Sequence, residues 1–157
     1  RYAEQTSHIR QLVAQCKNAD ATEQKRLMKR ILLLGTYIKR SVNLRFLCRE
    51  YELLPQQEIR LTVDEAVRAM TACGTECGVV YRTTGPMRAT EVLRLFDLLK
   101  DVAEHAIDEL QSLFISVSDS EMDLSVECAA DLSVLATRKV TICNEDGLWL
   151  IRTQIGG

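Results

Sequence analysis

An α+β fold, in which a helical hairpin precedes an α/β sandwich built on one mixed sheet with helices on one face, is what the 157 residues predict. Three observations predict it. Up to Leu54 the apolar residues recur at helical spacing, whereas beyond Pro55 β-branched runs alternate with helical ones. The charge divides near the same place: residues 1–50 carry 11 Lys/Arg against 4 Asp/Glu, and the remainder 9 against 18. The chain closes on KVTICNEDGLWLIRTQI, where Asp146-Gly147 between two β-rich runs marks a short hairpin. The implied units are a dimerisation hairpin over 1–54 and a sandwich domain over 55–157.

Element by element, Ile9, Leu12, Val13 and Cys16 give the first helix its sparse apolar face. The break NADAT follows, with Asp20 or Thr22 suited to cap a long helix over Glu23 to Glu50. Its stripe is Leu27, Ile31, Leu34 and Ile38, prolonged by Leu44 and Leu47. Such a helix reaches roughly 40 Å, more apolar length than one hairpin can bury. A second copy, giving a four-helix bundle in a homodimer, is the expected remedy.

After Pro55, EIRLTV alternates like a strand, and Val63 to Ala72 reads as a helix capped by Thr62 or Asp64. GVVYRTT is β-branched and aromatic, and Gly85-Pro86 is a turn. Ala89 to Gln111 predicts a helix with an inward stripe of Val92, Phe96, Leu99, Ala103, Ala106 and Leu110. LFISVSDSE and MDLSVECA then alternate around a polar turn at Ser118 to Glu121.

The totals exclude some classes. No run of 18 apolar residues offers a membrane span, and no secretory pattern opens the chain. Six scattered cysteines predict reduced, buried thiols, since Cys73 and Cys77 have no second pair or nearby His to complete a zinc site. The expected setting is the cytoplasm, or the cytoplasmic part of a membrane protein whose upstream segment precedes RYAEQTSHIR.

The order of elements resembles the core of sensor histidine kinases, a phosphoacceptor hairpin joined to an ATP-binding sandwich of the type shared with gyrase, Hsp90 and MutL. LLGTYIKRSVNLRFL, residues 33–47, also resembles the second hairpin helix of bacterial membrane-linked kinase-like proteins. In that family the long helix of the sandwich carries E-x-x-x-N-A, its Asn holding Mg²⁺. Here DVAEHA places Asp101 at the acid and His105 at the Asn, and an imidazole suits Mg²⁺ poorly. The family's D-x-G-x-G, which receives the adenine, corresponds to Cys128, Ala130 and Leu132; Asp131 lies one step off with no glycine after it. Leu132 to Arg138 is too short for the family's lid and phosphate loop, and no other glycine loop replaces them.

The resemblance therefore implies a nucleotide-deficient kinase-like signalling module that acts through dimerisation and a protein partner. No cofactor is expected, ATP and Mg²⁺ entering only if the degenerate site still binds them. The alternatives are an active divergent kinase with His8 as phosphoacceptor, although Ile9 and Arg10 follow it where the family has an acid, or a nucleic-acid-binding regulator using the basic helices.

Other candidates have plain readings. Glu104 and His105 are adjacent, so their side chains diverge by about 100° on a helix. Asp101 or Asp108 is better spaced to meet His105. The acids Asp101, Glu104, Asp108 and Glu109 read as a wet helix side, with no metal site expected. The basic run Lys25, Arg26, Lys29, Arg30, Lys39, Arg40, Arg45 and Arg49 reads as a solvated face, with nucleic acid disfavoured by the acidic total and the lack of a reading motif. Tyr81 and Trp149 are expected in the core or on a sheet face.

Overall fold

The computed structural model describes residues 2–156. Helix α1 (Tyr2–Lys17) and helix α2 (Ala21–Glu50) form the hairpin. Asp20 caps α2, its Oδ1 accepting from the Glu23 amide at 2.8 Å. Then follow β1 (Leu53–Leu54), α3 (Gln56–Ala72), β2 (Glu76–Arg82), β3 (Met87–Arg88) and α4 (Ala89–Ala106). Strands β4 (Leu110–Ser118), β5 (Glu121–Cys128), β6 (Val140–Glu145) and β7 (Leu148–Gln154) complete the chain, with a 3-10 turn at Ser133–Leu135. The predicted α+β class, helices followed by one mixed sheet, is the class observed.

Two element readings need correction. EIRLTV is not a strand but the first half of α3, which starts directly after Pro55. Ile59, Thr62, Val63, Ala66, Ala69 and Met70 are its buried positions, a three-and-four spacing that a six-residue window hides. Thr62 and Asp64 accordingly lie inside α3 and cap nothing. No strand forms there; the one that precedes α3 is the two-residue β1, paired antiparallel with β3 through Leu53 and Arg88. The helix predicted to run to Gln111 ends at Ala106, and Leu110, though buried, belongs to β4.

The main sheet has the order β2-β4-β5-β7-β6. Only β2 and β4 run parallel, and a parallel pair needs a crossover, which α4 supplies. Alternation sends Leu113, Ile115, Val117, Met122, Leu124, Val126, Trp149 and Ile151 inward. The β6–β7 turn is the predicted one, with Asp146 and Gly147 both at positive φ as a two-residue hairpin requires.

Helix α4 is buried on more than one side. Val92, Leu95, Phe96, Leu99, Val102, Ala103 and Ala106 are all inaccessible, because the sheet covers one face and α2 another. Tyr37 of α2 meets Phe96 with ring centroids 5.0 Å apart. The second half of α2 thus joins the main core through Leu33, Tyr37 and Leu44. Its first half joins a smaller cluster of Leu12, Leu27 and Leu34 with α1.

Candidate functional site

Two places along α4 gather the residues that matter. The first is a groove of about 450 Å³ between α4 and the segment joining β5 to β6, lined by Arg94, Asp97, Leu98, Asp101, Leu135, Thr137, Arg138, Lys139 and Val140. Asp101 lines it, and burial pushes its carboxyl above the usual range, with Lys100 opposing and Glu104 and Asp97 adding to the rise. His105, Cys128 and Ala130 do not line it. The His105 ring is exposed and folded back on its own helix, Nδ1 lying 2.8 Å from the Asp101 carbonyl oxygen. That contact makes Nδ1 the donor.

Cys128 is buried at the end of β5, and its Sγ donates to the Ala130 carbonyl at 3.7 Å. Burial pushes that thiol up. Asp131 turns away: its Oδ1 accepts from the Ser133 amide at 2.9 Å and the Ser133 hydroxyl at 2.6 Å, which hold the carboxyl below its ordinary range. It makes a local Asx turn just ahead of the 3-10 turn. At the head of the groove Arg94 is tied to Glu91, to the Thr153 hydroxyl at 2.7 Å and to the Gln154 carbonyl.

The second place is a cavity of about 220 Å³ between the hairpin and the end of α4. His8 from α1, Arg30, Leu33 and Leu34 from α2, and Glu104 and Ile107 beyond them line it. Glu104 is thus on the hairpin side, the side its divergence from His105 allows. Lys100, one turn earlier and buried, has its Nζ 3.7 Å from Glu104 Oε1. Arg30 Nη2 contacts Asp108 Oδ2 at 2.5 Å, where Arg26 also reaches at 3.4 Å. Arg30 Nε is buried and has no hydrogen-bond partner among the described residues. Beneath, burial pushes the Tyr37 hydroxyl far up, with Glu104 and Asp101 adding, so it stays neutral.

Sequence reasoning singled out His8 and missed its company. The signal was present: Phe96, Lys100, Glu104 and Ile107 recur at helical spacing and form the face of α4 turned to α2. Among the other candidates, Tyr81 packs on the core from β2 and donates to Asp64 Oδ1 at 2.6 Å. Trp149 is buried in β7. Much of the basic run is answered internally: Arg26 and Arg30 meet Asp108, Arg40 meets Glu65, and Arg45 stacks over the Tyr2 ring at 5.9 Å. No group of three or more His, Cys, Asp or Glu among the described residues is placed to hold a metal ion.

No family model matches the chain, and no curated protein matches it. Among solved structures, a bacterial phosphotransferase is similar over 96% of this chain and 88% of its own, with a TM-score of 0.51 and 9% identity. The cytoplasmic segment of histidine kinase QseC overlaps 82% of this chain and 94% of its own at a TM-score of 0.46 and 10% identity. The Acinetobacter baumannii histidine kinase AdeS overlaps 98% and 96% at 0.37 and 15%. At these identities the likeness is one of fold, and it rests on the first of the three.

Proposed function

We propose that this chain is a signalling module of histidine-kinase-like architecture that has lost its grip on nucleotide and works through self-association and contact with a protein partner. The observation that carries the reading is the state of the α4 groove. The family's adenine acceptor position holds a buried thiol, Asp131 three positions on is turned onto Ser133, and residues 129–139 close directly from β5 to β6. ATP and Mg²⁺ do not fit these residues. A purine at that position needs an acceptor for its amino group, and a triphosphate needs backbone amides or several cations, whereas two of the groove's three basic side chains, Arg94 and Lys139, are engaged by Glu91.

Self-association is supported by α2. Met28, Leu32, Val42 and Phe46 are exposed, and with Gly35 and Lys39 they repeat at alternating intervals of four and three. That is the seam of a helical bundle. A nucleic-acid partner is disfavoured because Arg26, Arg30 and Arg40, three of the eight basic residues, are paired with the module's own acids and the chain is acidic overall. A cytoplasmic setting belongs to the same proposal; among the described residues no helix is long and apolar enough to cross a membrane.

Titration calorimetry with Mg-ATP and Mg-ADP, beside sedimentation analysis, tests this reading. The expected result is no binding heat and a dimer at micromolar concentration. Saturable nucleotide heat, or a monomer throughout, would overturn it.

A second reading has its own observation. His8 faces an acid and an arginine across a cavity, which fits a phosphoacceptor imidazole. The phosphotransferase similar in fold gives this reading a precedent by name only.

A further inference from the structure

We infer that Glu104 is the positioning residue for His8, and that the cavity they share with Arg30 is built to receive a phosphoryl group. This rests on the second reading above and adds to it which groups outside α1 make the imidazole competent.

An imidazole attacks phosphorus through an unprotonated ring nitrogen while its other nitrogen keeps the proton. A carboxylate on that N–H fixes the tautomer and stabilises the cation that forms. The residue after His8 is Ile9, so α1 supplies no acid at the next position. Glu104 comes instead from α4, across the cavity. Its carboxylate is steadied by Lys100, a lysine only 6% exposed that would be costly to bury without a partner.

The anion side of the cavity is Arg30. One Nη is occupied by Asp108, while the buried Nε has no hydrogen-bond partner among the described residues. A buried guanidinium N–H left unsatisfied is a donor waiting for an acceptor, and phosphoryl oxygen is the acceptor arginine fits best. About 220 Å³ is below the ~300–1,000 Å³ of small-molecule sites, room for a transferred group and not for a nucleotide.

The step is balanced without metal or nucleotide. The lone pair of the free His8 nitrogen forms the P–N bond as the bond from phosphorus to the donor's leaving atom breaks. The leaving group departs with that electron pair, a carboxylate when the donor is an acyl phosphate on a partner protein. The imidazolium proton stays on the other nitrogen, within the cavity that Glu104 lines from the far side. The charged groups around His8 are Glu4 one turn earlier on α1, Arg30 on α2, and Glu104 with Lys100 and Asp108 beyond.

Potassium phosphoramidate, which transfers phosphoryl to imidazole with loss of ammonia, is the probe. The full chain, H8A, E104Q and E104D are labelled across pH 5–9. The expected result is label that depends on His8, slowed roughly 10- to 100-fold in E104Q, the range known for removing a group that orients a metal-ligating imidazole. E104D should recover part of it. His8-dependent label with an unchanged rate in E104Q would overturn the inference and leave the second reading standing. No His8-dependent label on the full chain would remove both. Nitrogen NMR of His8 in the unaltered chain gives an answer should E104Q fold poorly: one dominant tautomer is expected, and an even mixture would overturn the assignment.

Discussion

Arg40 lies almost fully buried between α2 and α3, its Nε and Nη2 on the Glu65 carboxylate at 2.8 and 2.6 Å and Glu58 3.9 Å from Nη1. Removing Glu65 leaves a guanidinium stranded in the core, whereas removing Arg40 leaves a carboxylate that can still reach water. Glu65→Leu should therefore destabilise by about 2–3 kcal/mol, less than for an isolated buried ion because Glu58 remains close. Arg40→Met should cost less, and the double variant should regain most of the loss, all read by urea unfolding. The same pair sets a pH dependence. The Arg40 hydrogen bond holds the Glu65 carboxyl below its ordinary range against the opposing effect of burial. As pH falls the unfolded chain takes up the proton first, so the stabilisation is complete above the ordinary carboxylate range and disappears through the lower, folded value. In Glu65→Leu that part of the acid limb should be absent from the stability–pH curve. The acid was not readable as Arg40's partner from sequence, since the two are 25 positions apart and Arg40 sits in a run of basic residues that looked uniformly solvated.

Helix α2 shows at the level of an element why a single stripe misled. Leu27 and Leu34 do face α1, but Ile31 and Ile38 are only half-buried, while Leu33, Tyr37, Ser41 and Leu44 turn to α3 and α4. A helix of 30 residues that serves two partners changes its buried face midway, and periodicity taken as one line averages the two. The third face is the exposed seam through Leu32, Gly35 and Phe46, and Gly35 tests it. A Cβ added there meets no heavy atom within 4 Å. In the isolated chain Gly35→Ala should stabilise α2 by about 0.5–1 kcal/mol, since glycine in a helix interior carries that entropic cost. Thermal unfolding at low concentration checks this. If a second copy packs its backbone close at the glycine, sedimentation of the same variant at high concentration should show weaker association. A stability gain with unaltered association would mean that the close approach is elsewhere along the helix. Strand alternation was more legible: β4, β5 and β7 have one wet face, so their period of two survives intact. The start of α3 was not, because six residues of a helix beginning at proline can imitate that period. Nor was the His8 cavity, which exists only once the end of α4, packed on α2, comes to lie across from α1.

The molecule as a whole has two apolar clusters of unequal size, and α2 belongs to both. Leu12, Leu27 and Leu34, with Ile9, Cys16, Ala19 and Ile31 around them, hold the free end of the hairpin. The large cluster includes α3, α4, the sheet and the second half of α2. Outside the small cluster, the hairpin's first turns are fastened to the rest chiefly by Arg26 and Arg30 on Asp108, half-exposed ion pairs of the kind that contribute little each. Stability should then be uneven: amides of α1 and of α2 before Leu33 should exchange through an opening of lower free energy than those of α4, β4 and β5. Leu12→Ala sharpens the expectation. Leu12 is 5% exposed, and its truncation should lower protection in the hairpin end by about 2–3 kcal/mol while α4 and the sheet keep theirs. Native-state hydrogen exchange followed by mass spectrometry reads both regions in one experiment. Equal loss across the chain would show a single cooperative unit. Selective loss would mean that the end of the hairpin bearing His8 can swing away from the Glu104 side of the cavity without unfolding the sandwich, which is the motion a module needs if the spacing between α1 and α4 is what it regulates.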